Sequence, residues 1–170
     1  MEVKLKLKIG IISDTHMNKH YSRLKHILDD KLKDVDLIIH AGDYTSPEVI
    51  SMIKEKSKFI GVYGNNDKSN LRSLVPEKHI LTLEGYKIGI CHGDGTKKQT
   101  IDNVVDTFKK DKLDIIIYGH SHKPCIFTKG KTMYLNPGSS TSKRKEPWFS
   151  YIILELNKNC PISASVNFFK

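Results

Sequence analysis

Five short apolar runs in this chain each break off into a cluster of histidine, aspartate or asparagine. The clearest is Ile115-Ile116-Ile117-Tyr118-Gly119-His120-Ser121-His122, an apolar strand signal that ends in two histidines one residue apart. Residues i and i+2 of an extended segment share a face, so both imidazoles can be aimed at one point. Ile9–Ser13 runs into Asp14-Thr15-His16, and Val35–Ile39 into His40-Ala41-Gly42-Asp43. Phe59–Tyr63 ends in Gly64-Asn65-Asn66-Asp67, and Ile88–Cys91 in His92-Gly93-Asp94. One such cluster is an ordinary turn. Five in one chain point to metal ligands or catalytic groups collected at strand ends.

The intervening sequence sets the fold class. Leu24, Ile27, Leu28 and Leu32 recur at helical spacing between the first two runs, and Ser46-Pro47 is a helix start with Ser as cap. The order strand, helix, strand, helix, strand predicts parallel strands with right-handed crossovers. Asn65–Glu77 reads as a brief helix stopped by Pro76, and His79–Leu83 with Tyr86–Cys91 as a hairpin across Glu84-Gly85. Thr96 is placed to cap a helix whose Ile101, Val104, Val105 and Phe108 form one stripe. Cys125–Thr128, Thr132–Leu135, Phe149–Leu156 and Ser163–Phe169 read as strands. The expectation is an α/β (α+β four-layer) protein of two packed mixed sheets with helices outside. At 170 residues, without repeat or linker, 1–170 is expected to be a single domain.

No segment reaches the ~18 consecutive apolar residues of a membrane helix. Met1–Lys6 alternates charged and apolar residues and reads as entry into the first strand (from Lys4) rather than a signal peptide. Cys91, Cys125 and Cys160 contain no CxxC and leave one thiol over in any pairing, which suits a reducing, cytoplasmic setting. Cys91 is expected in the core. The net charge of 28 − 19 = +9 suits an anionic partner. Nucleic acid is the less favoured one, because the lysines are scattered and only Lys143-Arg144-Lys145 clusters.

Seven candidate ligands sit at carboxyl ends of strands, where open α/β sheets keep their function: Asp14, His16, Asp43, Asn65, His92, His120 and His122. Oxygen and imidazole without thiolate suit Mn²⁺, Fe or Zn²⁺ and argue against a structural zinc finger. Seven groups are too many for one ion with an open position. Two divalent ions sharing a carboxylate account for them, an arrangement that hydrolyses phosphate esters through a bridging water or hydroxide.

The ordered set Asp-x-His, Gly-Asp, Gly-Asn-x-Asp, His-Gly-Asp and Gly-His-x-His resembles the calcineurin-like metallophosphoesterase superfamily. The small size and Asn136-Pro137-Gly138-Ser139 resemble its compact prokaryotic YfcE-like phosphodiesterase branch. The resemblance implies a helix-flanked β-sandwich that hydrolyses a small phosphodiester with two divalent ions, manganese foremost, then iron, zinc, nickel or cobalt. It implies Asp14, His16 and His122 on one ion, Asn65, His92 and His120 on the other, and Asp43 bridging. Gly42, Gly64 and Gly119 would allow tight turns at the ligands. Asp67 would orient a ligand or steady its turn. Many relatives carry a histidine directly after the motif asparagine as proposed general acid. Here Asn66 stands there, and an amide cannot donate a proton usefully. The superfamily also includes scaffolds of protein assemblies, whose expected sign is lost ligands, and nucleases with the same chemistry. All seven ligands are present. A homodimer is left open.

The other histidines take plainer readings. His20 and His26 belong to solvent, His40 to the core or to support of the ligands, and His79 is unassigned. Trp148 and Phe149 are expected to pack or to form an interface.

Overall fold

A computed structural model describes residues 6–158 and 160–170, so the strand entry read over residues 1–5 lies outside the described residues. β1 (Leu7–Ile12), β2 (Leu37–His40) and β3 (Lys58–Gly61) are parallel neighbours. Antiparallel β9 (Phe149–Leu156) and β10 (Ser163–Phe169) extend that sheet to the order β10-β9-β1-β2-β3. The second sheet has the order β4-β5-β6-β8-β7. In it β5 (Tyr86–Cys91), β6 (Ile115–Ile117) and β8 (Thr132–Asn136) are parallel, while β4 (Lys78–Leu83) and β7 (Cys125–Lys129) are antiparallel edges. Glu84 and Gly85 both take positive φ (49° and 85°), the turn that a two-residue hairpin favours.

The two inner faces share a core of Ile9, Ile11 and Ile39 from one sheet against Ile88, Ile90, Ile115, Ile117 and Leu135 from the other. Each wholly buried side chain of this kind contributes about 1.5–3 kcal/mol. Alternation on β1 and β2 turns Ile12 and Ile38 outward, where α1 (Ser22–His26), the turn after it and α2 (Pro47–Lys56) cover them with Leu24, Ile27, Val49 and Ile53. α4 (Thr100–Thr107) does the same for the second sheet, with Val104 and Phe108 against Cys91, Ile116 and Tyr118. The expected helix, sheet, sheet, helix layering is therefore present, and Cys91 is buried as expected.

Local readings shift at several points. Leu24, Ile27, Leu28 and Leu32 are all buried, but α1 gives way to a π-helical turn over Ile27–Lys31 that brings the chain into β2. α3 (Ser69–Arg72) ends well before Pro76. Thr96 caps nothing. The helix begins at Thr100 because the buried Asn103 side chain accepts from Lys97 N–H (3.0 Å) and folds the preceding residues into a loop. Ser46 does cap α2, accepting from Glu48 N–H, with Pro47 in the first turn. Cys91, Cys125 and Cys160 are free thiols.

β1, β2 and β3 in one sheet and β5, β6 and β8 in the other run parallel, and their carboxyl ends meet at one rim of the sandwich, where Asp14 after β1 lies 3.2 Å from His122 after β6. The loops that leave this rim carry every candidate ligand.

Candidate metal centre

Asp14 is the hub of this rim. It is wholly buried, and its Oδ2 is satisfied by the Ser13 hydroxyl (2.6 Å) and His120 N–H (3.0 Å). Its Oδ1 has no hydrogen-bond partner and lies 3.2 Å from His122 Nε2, 3.7 Å from His16 Nε2 and 3.9 Å from His92 Nε2. Burial alone would raise its pKa, but His122 and His16, with the charge of His92, hold it far below the usual carboxylate range.

The histidines are turned inward by their other nitrogens. His122 Nδ1–H donates to Ser142 C=O and His92 Nδ1–H to Ala41 C=O (2.7 Å). Each tautomer is thereby fixed with Nε2 facing the centre, the usual support for a metal-binding imidazole. His16 Nε2 comes within 3.2 Å of His122 Nε2, their rings stacked. Two such nitrogens meet only around a proton or a cation.

Asp43 stands on the far side of Asp14. Its Oδ1 accepts from Asn66 N–H (2.9 Å) and its Oδ2 from the Asn66 side-chain amide (2.7 Å). The same Oδ2 is 3.2 Å from His92 Nε2 and 3.5 Å from His16 Nε2. Burial opposes its ionisation, yet His92 and Asn66 bring its pKa down to about 2. Burial likewise opposes the charge on His92, but Asp43 and Asp14 push it up to about 9. Two triads result, Asp14 with His16 and His122, and Asp14 with Asp43 and His92. Asn65 and His120 lie together at the exposed lip, Asn65 Oδ1 to His120 Nδ1 being 3.1 Å, outside both triads. His120 packs edge-on against the His92 ring, and burial, then the charge of His92, lowers its pKa.

Backbone strain concentrates here. Asp14, His16, Asp43, Thr45, His120 and His122 all have positive φ, between 45° and 67°. Such residues cost energy and persist where the surroundings impose them. Gly42 (φ 98°) turns beside them, whereas Gly119 is needed for room, since a Cβ there would strike Ser13 Oγ and Asp14 Oδ2.

Asp67 is not aimed at the centre. It accepts from the backbone N–H of Asp43 (2.8 Å), Gly64 (2.8 Å) and Thr45 (2.9 Å), tying the β2 and β3 loops together. His40 is wholly buried. Its Nδ1 accepts from Gly42 N–H (3.1 Å), leaving Nε2–H to donate to Thr15 Oγ1 (3.1 Å), and burial holds it neutral with a pKa of about 3. It thus links the loops of Asp14 and Asp43. His20 and His26 are exposed, as expected.

The loop after β8, read from sequence only for its resemblance through Asn136-Pro137-Gly138-Ser139, supports the ligands in a way sequence reasoning did not assign. Ser139 Oγ donates to Asp14 C=O (2.7 Å), Thr141 Oγ1 to Thr15 C=O (2.6 Å), and Ser142 C=O receives His122. Its signal was there to read: a Ser-Ser-Thr-Ser run following a Pro-Gly turn at another strand end.

The donor set suits divalent cations. Buried Asp14 Oδ1 and His92 Nε2 lack hydrogen-bond partners, and both face the same small volume as the His16 and His122 nitrogens. A cation entering there must displace the proton that His92 carries below pH about 9. Mn²⁺ affinity is therefore expected to rise about tenfold from pH 7 to 8 and to level off above 9. Calorimetric titration at each pH, with proton release read from buffers of different ionisation enthalpy, checks this.

A two-sheet sandwich that gathers imidazoles and carboxylates at one rim is the architecture of the metallophosphoesterases. The chain belongs to the calcineurin-like phosphoesterase superfamily, whose domain model matches residues 7–159. It is 38% identical over 137 residues to a probable metallophosphoesterase of Methanocaldococcus jannaschii, covering 80% of this chain and 69% of the relative. A phosphodiesterase of the same organism is 29% identical over 147 residues, covering 78% and 83%. Among solved structures, a Vps29 single mutant from Entamoeba histolytica superposes with a TM-score of 0.76 at 20% identity, over 96% of this chain and 99% of that one. That likeness speaks to the fold. Among the described residues, no helix is long and apolar enough to cross a membrane.

Proposed function

We propose that this chain is a metal-dependent phosphodiesterase acting, as one domain in the cytoplasm, on a small phosphodiester. The observation that carries the reading is the convergence of three imidazole nitrogens on the unpartnered Oδ1 of buried Asp14. Asp14, His16 and His122 would hold one divalent ion. Asn65, His92 and His120 would hold a second, with Asp43 between them and manganese the foremost metal. When bound, such ions draw charge from phosphoryl oxygens and lower the pKa of water.

The chain's own groups do the rest. Ser142 and Ala41 carbonyls hold His122 and His92 in the tautomer that presents a lone pair. Asp67 and His40 fix the loops from which Asp14 and Asp43 project. The Asn66 amide keeps Asp43 oriented at 2.7 Å and has no proton to give a leaving alkoxide. Asn65 and Asn66 are exposed at the lip, where a phosphodiester would approach.

A protein stripped by chelator and reloaded with Mn²⁺ tests this against chromogenic phosphomono- and diesters. Diester hydrolysis is expected to vanish on stripping and to return on reloading. Activity indifferent to the metal, or confined to monoesters, would contradict the reading. A sandwich of this shape also carries the name Vps29, so fold alone does not decide between enzyme and scaffold. Retention of all seven ligands favours the enzyme.

A further inference from the structure

Beside the metal centre lies an open cavity of about 570 Å³, within the range of sites for small organic ligands. Ser121, the residue between His120 and His122, forms part of its wall. Thr100 and Tyr118, also in the wall, are what a side chain at Gly93 would meet, and Gly93 follows His92 directly. The cavity thus adjoins the loops that carry His92, His120 and His122. Ile101 and Tyr118 give it an apolar side.

Its charged lining is cationic. Lys98 and Lys123 line it, no acidic side chain does, and among the described residues neither ammonium has an ion-pair or hydrogen-bond partner. Lys97, one residue away, is by contrast paired with Asp106 (2.5 Å). The next cavity, about 490 Å³, is lined by Asp111 and Asp114 as well as by Lys112 and Lys131. Two unpaired cations in the wall of an amphipathic cavity leave a place for an anion.

We propose that this cavity receives the organic arm of the substrate and that Lys98 and Lys123 bind a second phosphate on that arm. The inference rests on the phosphodiesterase reading and narrows it. The substrate class becomes a phosphodiester whose nucleoside-sized arm bears a further phosphate. Lys98 and Lys123 are specificity residues, distinct from the metal ligands.

The test compares thymidine 3′,5′-bisphosphate with thymidine 5′-phosphate, titrated calorimetrically into the Mn²⁺-loaded full chain. The two probes differ by one phosphate. The bisphosphate is expected to bind about tenfold more tightly, two partly exposed contacts of ordinary strength, with the ratio shrinking as salt is raised. In the Lys98→Gln/Lys123→Gln variant the ratio falls to near one, while Mn²⁺ binding and the melting temperature stay as in the wild type. Equal binding of both probes by the wild type overturns the proposal, as does a preference that survives the double substitution. Absence of hydrolysis by the metal-loaded wild type would instead overturn the phosphodiesterase reading, and the binding ratio would still report on the cavity.

Discussion

Replacing Asp43 with asparagine is expected to lower metal-dependent diester hydrolysis by more than about a hundredfold, beyond what loss of an outer-shell partner of a metal ligand costs. The carboxylate stands 3.2 Å from His92 Nε2 and 3.5 Å from His16 Nε2, between the imidazoles of the two loops. Asparagine keeps the shape and one carbonyl oxygen, so Asn66 N–H retains an acceptor, but the negative charge is gone. The fold is expected to survive. The Asp43 backbone N–H remains bonded to Asp67, and the sandwich is held by Ile9, Ile11, Ile39, Ile115 and Ile117 rather than by the centre. Steady-state kinetics and thermal melting on the same preparation separate the two effects. A variant that melts far below wild type would mean that the carboxylate is structural.

The second large effect concerns the leaving group. Proton transfer from a placed side chain typically contributes ~10²–10⁴-fold, and Asn66 has no proton of suitable acidity. The rate is therefore expected to fall steeply across a series of diesters as the leaving group becomes a poorer one, with aryl esters fast and alkyl esters slow. Asn66→His is expected to flatten the series, provided the imidazole reaches the leaving oxygen. The structure adds a cost, because the Asn66 amide holds Asp43 Oδ2 at 2.7 Å and the imidazole gives that bond up. The variant should lose on aryl esters and gain on alkyl ones. A flat wild-type profile with chemistry rate-limiting would show that another residue supplies the proton.

The layers, the three parallel strands of the first sheet and the hairpin were legible because each rests on a short-range rule, whereas the parallel pairing of β5, β6 and β8 was not read. Ile-rich runs bury themselves, polar clusters end them, and Glu84-Gly85 turns the chain. The rim itself was legible for a related reason. Parallel strands put all their carboxyl ends on one side, so ligands far apart in sequence, such as Asp14 and His122, meet within 3.2 Å. What the sequence hid depends on side chains reaching across the fold. Asn103 determines where α4 starts, and nothing near Thr96 announces it. Ser139 and Ser142 support Asp14 and His122 from a loop more than a hundred residues beyond Asp14. The Asn66 side chain was read by its missing acidity, whereas its bond to Asp43 depends on two loops coming together.

The proposed centre would hold two ions at this rim, with Asp43 between them. Anomalous diffraction from crystals of the Mn²⁺-loaded protein tests it most directly. Two peaks are expected ~3.5–4 Å apart, one against Asp14, His16 and His122, the other against Asn65, His92 and His120, with the Asp43 carboxylate in contact with both. A single peak with Asp43 uncoordinated would contradict it.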